Sequence, residues 1–406
     1  MKKSFKIFII VFLLTIFTYI CKINSIPNSV IIYNGENIDI GNFLGLKLSN
    51  QKYNYLLASN NLNENSDKLV VAEVKLFDLL TVKKIQVDTI DEKTVIPVGQ
   101  ISGLKLYTNG VLVVGMSEIR SDDGKKYKPY ETTKIEEGDR IIKIDDIQII
   151  DTNHLIQIVN SSNGESLKLE YIKNNEKYEE YIIHKKASDN TYKLGLWVRD
   201  SSAGIGTLTV YEPETGNFAA LGHGITDIDT GDLVEIQNGE FVTANIVSIV
   251  KGKKGNPGKI QGTIENSKNI GTIYKNTDLG IYGTLTDLSA INIDLSKQMK
   301  VARRSEIILG KATALCNIDE SKVKEYEIEI EKIFINNNKD NKSMLIKVKD
   351  QDLIQKTGGI IQGMSGSPII QNGKFIGAIT NVLVNDPTQG YAVFGDIMVS
   401  QMEEEK

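Results

Sequence analysis

Cysteine, histidine, proline and tryptophan are all scarce in this 406-residue sequence, at two, three, seven and one. Two cysteines, Cys21 and Cys316, cannot build a disulfide framework or a four-thiolate zinc site. Cys316 has no evident partner and reads as a buried thiol. Imidazole chemistry must choose among His154, His184 and His223. No HExxH pair occurs, which argues against a metal-dependent hydrolase, and no metal or cofactor is expected. A basic excess is also missing. Lys plus Arg number 47 against 52 Asp plus Glu, a net charge of −5, so nucleic acid is not an expected partner. What is present suits a globular chain of two or three folded units, with 41% hydrophobic and 24% charged residues.

Long apolar runs are missing except for one. Lys2, Lys3 and Lys6 precede an apolar stretch from Ile7 to Cys21, broken only by Thr15, Thr18 and Tyr19. A basic start followed by such a run is an export signal or anchor. The run is shorter than a comfortable span, but no small-x-small cleavage site follows it. An uncleaved anchor over residues 1–27 is therefore favoured, with residues 28–406 outside the cytoplasm.

The exported part reads as mainly β. Asn-Gly pairs at 34–35, 109–110, 163–164, 238–239 and 372–373 are hairpin signals, because both residues tolerate positive φ. Residues 28–95 form a β-rich region with surface loops expected at 60–68 and 88–93. Residues 96–187 carry Gly103-Leu104-Lys105-Leu106, then Val111-Leu-Val-Val-Gly. Ile135-Glu-Glu-Gly-Asp-Arg-Ile-Ile-Lys-Ile follows, with a helix from Thr152, capped by its hydroxyl, to Val159. This order resembles a PDZ domain. Gly103, Leu104, Lys105 and Leu106 fall where a carboxylate-binding loop belongs, so a peptide terminus would be received there by strand addition.

Residues 188–406 carry the chemistry. Gly363-Met-Ser365-Gly-Ser-Pro368 resembles the nucleophile turn of chymotrypsin-like serine peptidases. Its glycines let the N–H groups of Gly363 and Ser365 point the same way, as an oxyanion hole requires. A serine needs a base. His223 stands between two glycines, whereas His154 lies in the expected helix and His184 precedes two lysines; those two read as structural or solvated. The 142-residue separation of His223 and Ser365 fits one element in each of two six-stranded β-barrels. A carboxylate should orient the imidazole. Asp350 and Asp278 both qualify, and the residues alone leave that choice open.

Several segments are similar to one known family, the stage IV sporulation protein B serine peptidases of endospore-forming bacteria. They are Gly195-Leu-Trp-Val-Arg199 with Gly204-Ile-Gly206, Leu221-Gly-His223-Gly-Ile-Thr-Asp227, Gly255-Asn-Pro-Gly258, Thr357 to Gly373, and Val384-Asn-Asp-Pro387. The resemblance implies an N-terminal anchor, a PDZ domain and a chymotrypsin-like double β-barrel. It implies His223 as base, Ser365 as nucleophile and Asp350, rather than Asp278, as the acidic member. One departure is Asn381, where a histidine is expected after Thr380. The resemblance further implies export from the forespore into the space between forespore and mother cell. There the peptidase would cleave its own N-terminal region and a membrane-bound regulator of an intramembrane protease, triggering late sigma-factor activation. The competing expectation is an exported PDZ adaptor whose peptidase fold is silent.

Overall fold

In the computed structural model, the described residues are 2–33, 45–48, 70–90, 92–264, 267–319, 322–335 and 341–402. The apolar run forms helix α1, Lys2–Ser25. Within its 21-residue stretch Phe5–Ser25, an 18-residue window has a mean hydropathy of 2.2 and no fully buried residue. At about 1.5 Å per residue the whole stretch is roughly 31 Å, close to the thickness of a bilayer's hydrocarbon core. Beyond it a four-stranded sheet is built from β1 (Ser29–Tyr33), β2 (Leu46–Leu48), β3 (Val70–Leu76) and β4 (Leu80–Ile90), in the order β1-β4-β3-β2. Because β4 runs to Ile90, the first three residues of the loop expected at 88–93 are strand. The turn expected at Asn34-Gly35 and the loop expected at 60–68 lie outside the described residues.

Two closed six-stranded barrels follow, an arrangement with which the separation of His223 and Ser365 is compatible. The first is formed by β5 (Thr94–Met116), β9 (Leu196–Tyr211), β10 (Asn217–Ala220), β11 (Ile236–Thr243), β12 (Asn269–Thr277) and β13 (Gly280–Leu285). Pairing runs β5-β9-β10-β13-β12-β11 and closes where β11 meets β5. Leu104, Leu106, Leu208, Phe218 and Phe241 are among its core residues. The second barrel is β14 (Gly310–Cys316), β15 (Lys324–Ile333), β16 (Met344–Val348), β19 (Asp386–Phe394), β18 (Lys374–Leu383) and β17 (Pro368–Gln371). Along β16 the residues alternate buried and half-buried, the period of two that a barrel wall requires.

The PDZ-like unit grows out of the first barrel. The far half of β5 and the near half of β9 pair with each other, Leu196 opposite Met116 and Val198 opposite Val113. They leave the barrel together and join β6 (Arg140–Ile144), β7 (Ser166–Lys173), β8 (Glu176–Ile183) and helix α2 (Thr152–Ser161). Val111, Val113, Ile141, Leu155, Leu169, Tyr171 and Leu194 share one core. The unit therefore does not match the expected span 96–187. Residues 96–108 are barrel wall, and the unit's last strand lies beyond residue 187. The helix is capped by Asp151, whose carboxylate accepts the His154 N–H at 2.7 Å, and not by Thr152.

Of the Asn-Gly pairs among the described residues, only Asn372-Gly373 makes the expected hairpin, with φ of 52° and 75° between β17 and β18. Asn163-Gly164 turns from α2 into β7. Asn109-Gly110 and Asn238-Gly239 lie inside strands. At Gly239 a side chain would stand 2.8 Å from the Lys105 carbonyl, so close strand packing, not turning, explains that glycine.

Candidate active site

Ser365 sits on a turn wedged between the two barrels. The Thr207 hydroxyl of β9 donates to the Gly363 carbonyl at 2.8 Å, and the Thr207 N–H donates to the Ser365 carbonyl at 3.2 Å. From the other side the Gly366 N–H donates to Ile379 O of β18 at 2.7 Å. Gly366 has φ of 92°, and a β-carbon there would lie 2.6 Å from the Leu221 N. Only glycine allows this approach. The N–H groups of Gly363 and Ser365 have no acceptor among the described residues. An oxyanion hole needs donors left unpaired in this way.

His223 reaches the same place from the first barrel. β10 ends at Ala220, and Leu221 and Gly222 both take φ of 70°. That sharp reversal is costly for a leucine and directs the chain across the second barrel. A side chain at Gly222 would touch Thr380 Cγ2 at 3.0 Å, and one at Gly224 would stand 2.6 Å from Thr277 O. The glycines flanking His223 are thus packing requirements. The imidazole is half-buried, and its Nδ1 lies 2.8 Å from the Gly224 carbonyl. A carbonyl only accepts, so Nδ1 carries the proton and Nε2 keeps the lone pair that a base needs. The Ser365 hydroxyl, also half-buried, donates to Thr380 O at 2.7 Å. It must leave that carbonyl to reach an imidazole, a tightening that serine enzymes often complete only with substrate bound.

The two candidate carboxylates occupy different surroundings. Asp350 is half-buried and caps α3 (Gln351–Thr357), accepting the Leu353 N–H at 3.1 Å. Asp278 is exposed in the β12–β13 turn. That turn packs on the His223 loop: Asn276 Oδ1 accepts the Ile225 N–H at 2.9 Å, and its amide donates to Ile225 O and Val234 O. His154 and His184 belong to the PDZ-like unit. His154 Nδ1 accepts the Ile150 N–H at 3.3 Å. His184 is buried, Nε2 accepting the Gly164 N–H at 3.0 Å, and burial holds its pKa below the ordinary value. Cys316 is a fully buried thiol, its pKa pushed up to about 12 by that burial.

Gly103, Leu104, Lys105 and Leu106 do not form a carboxylate-binding loop. They lie mid-strand in β5, paired with β9 at 202–205 on one side and with β11 at 239–242 on the other. No edge remains there for a peptide to join. The signal that misled is strand alternation: Gly-Leu-Lys-Leu puts both leucines into the barrel core. An open edge does exist along the near half of β9, where no strand among the described residues pairs on the side away from β5. A cleft of about 630 Å³ lies between that edge and α2. Ile119, Leu155, Ile156, Val159 and Trp197 line it, and Gly195 opens it with φ of 78°. Leu194-Gly195-Leu196 was the overlooked signal, hydrophobic–glycine–hydrophobic leading into an edge strand.

A charged clamp joins this strand to the His223 loop. Arg199 of β9 donates to Asp227 Oδ2 and reaches Asp229 Oδ2, each at 2.7 Å. Burial would raise the Asp227 pKa, but the N–H groups of Asp229 and Thr230, together with Arg199, outweigh it and hold the carboxyl below its ordinary value. Arg140 of β6 pairs with Glu235 in a separate cleft that Arg199 and Asp227 also line.

Residues 190–399 match the family model described as SpoIVB peptidase S55. Among solved structures, the chain is similar to the PDZ domain of the SdrC-like protein from Listeria monocytogenes. That alignment has 20% identity and a TM-score of 0.18, covering 22% of this chain and 87% of that one. It is similar to the active form of the Rv3671c protease from M. tuberculosis, with 12% identity and a TM-score of 0.27, covering 50% and 73%. It is also similar to the HtrA-type protease AlgW, solved with a decapeptide, with 12% identity and a TM-score of 0.29, covering 50% and 52%. No curated protein matches. The sequence match spans half of the chain, with five of the first barrel's six strands, all of the second barrel, His223 and Ser365, and on that ground the chain belongs to the SpoIVB peptidase S55 family of serine endopeptidases.

Proposed function

We propose that this endopeptidase uses His223 as general base and Ser365 as nucleophile. The Ser365 Oγ attacks the scissile carbonyl and passes its proton to His223 Nε2. The oxyanion accepts the N–H groups of Gly363 and Ser365. The imidazolium then protonates the leaving amine, and water releases the acyl group by the same route. The observation that carries this reading is the convergence of the His223 and Ser365 turns on Thr380, with both oxyanion donors unpaired. A silent fold held as an adaptor has no need of those donors. Full-length protein should label with a fluorophosphonate and cut itself, and Ser365→Ala should do neither. Equal labelling of the two would overturn the assignment.

Asp350 is the proposed third member, on the family resemblance. Its competitor Asp278 is favoured by one observation, the packing of its turn on the His223 loop. Asp350→Asn separates cap from catalyst, because asparagine caps a helix about as well as aspartate. Loss of roughly 10⁴-fold in kcat with an unchanged Tm assigns Asp350 to the triad. Full activity in Asp350→Asn with loss in Asp278→Asn reverses the assignment.

The physiological reading follows the family. The peptidase acts in sporulation, exported from the forespore and held by α1 in the space between forespore and mother cell. Its substrates are its own N-terminal region and a membrane-bound regulator of an intramembrane protease, and the outcome is late sigma-factor activation. The cleft between α2 and β9 is the proposed seat for peptide segments of those substrates. Trp197, 61% exposed and the sole tryptophan, makes fluorescence a direct readout of its occupation.

A further inference from the structure

The four-stranded sheet is locked to the end of α1. Ile26, Leu46, Val74 and Ile85 form a small buried core, against which Tyr19, Ile23, Leu76 and Val82 pack. The Lys83 ammonium donates to the Ile23 carbonyl at 3.3 Å and also to that of Ile26, closing the helix C-terminus. β3 and β4 meet in a turn whose apolar side chains stay mostly exposed, although the Phe77 ring lies over Gly45. Phe77 is 60% exposed, Leu79 89% and Leu80 62%. Phe77 and Asp78 take φ of 51° and 61°, a conformation that is unfavourable for a bulky phenylalanine.

Position gives this turn a partner. Tyr19 lies six residues before Ser25, about 9 Å deeper along the helix axis. If Ser25 marks the outer surface of the bilayer, a hairpin whose Leu76 shares a cluster with Tyr19 and Ile23 must dip into the interfacial layer. Three clustered apolar side chains at such a tip are unfavourable in water and favourable there.

We propose that the tip Phe77–Leu80 inserts into the outer interfacial layer of the bilayer that α1 spans, making the sheet a second, shallow membrane contact. This rests on α1 being a retained anchor. With helix and hairpin both held, the sheet lies against the membrane and fixes the height of the peptidase above it. A peptidase set at fixed height reaches substrates whose cleavable bonds are close to the membrane.

The test uses the full chain in phosphatidylcholine–phosphatidylglycerol nanodiscs, with Ser365→Ala to block self-cleavage and Cys21→Ser so that the buried Cys316 is the only native thiol. Single cysteines at Leu79→Cys, Leu14→Cys and Leu295→Cys carry an environment-sensitive dye, and lipids spin-labelled at the headgroup or deep in the acyl chain quench it. Leu79 should be quenched at least several-fold more by the headgroup label than Leu295, and Leu14 by the deep label. Quenching at Leu14 without quenching at Leu79 overturns the hairpin contact alone. Quenching at neither shows that α1 is not in the bilayer, and both readings fall. An unlabelled check uses hydrogen exchange over residues 70–90. Leu79→Asp with Leu80→Asp should leave disc binding intact and speed exchange there several-fold, whereas unchanged exchange argues against insertion.

Discussion

The two barrels share a strand count and differ in how they close. The second is self-contained: its six strands lie between Gly310 and Phe394, and it contributes the Ser365 turn. The first contributes His223, and its walls are not its own. Two of its strands run out into the PDZ-like unit, and Arg199, on the outgoing part, grips the loop that follows His223. The Ser365 turn is held by Thr207 on the barrel part of β9, and the His223 loop by Arg199 on the outgoing part. Anything that binds along the outgoing part therefore meets Arg199 and the His223 loop before it meets Thr207 and the Ser365 turn.

That asymmetry can be broken by substitution. The largest effect belongs to the pair itself. His223→Ala and Ser365→Ala should each cost several powers of ten in kcat, and the double variant should cost little more than either. Additive losses, measured on a fluorogenic peptide, would mean the two residues do not act as a unit. Next comes Arg199→Gln, which should lower kcat/KM by roughly 10–100-fold by letting the His223 loop drift, with Arg199→Lys recovering part of it. A loss confined to KM would place Arg199 in substrate binding instead. The smallest effect is on pH. His184 accepts the Gly164 N–H as a neutral ring, with its pKa depressed by burial. Its contribution is complete above about pH 6.5 and is lost as pH falls through the lower folded value. Trp197 fluorescence should therefore report a Tm for the PDZ-like unit that declines from pH 7 to 5, and His184→Gln should flatten the decline.

Much of the peptidase was legible because its chemistry is local in sequence. A glycine-framed histidine and a glycine-framed serine declare their tight surroundings, and Gly222, Gly224 and Gly366 each prove to sit where a side chain would collide. The PDZ-like unit was legible through its Gly138-Asp139-Arg140 segment, but its borders were not. Strands shared by two cores carry no composition change, since Leu106 and Val113 are equally apolar and equally buried. The peptide-binding segment was sought at the front of the unit, at Gly103 to Leu106, when the open edge lies at its back, at Leu194 to Val198. Asp350 illustrates a different limit. One aspartate after a strand and before a helix reads equally as a cap and as a catalyst, and sequence spacing does not separate the two.

The strand β9 is 16 residues long, about 53 Å at roughly 3.3 Å per residue. It pairs with β5 along most of that length, from Tyr211 opposite Ile96 to Leu196 opposite Met116. Topologically, the two are one long hairpin, and the whole PDZ-like unit is its loop. Residues 188–406 taken alone would therefore lack β5 and leave the first barrel open. Joining Tyr107 to Ser201 through a two-residue Asn-Gly turn would instead close the hairpin and leave the two barrels without the PDZ-like unit.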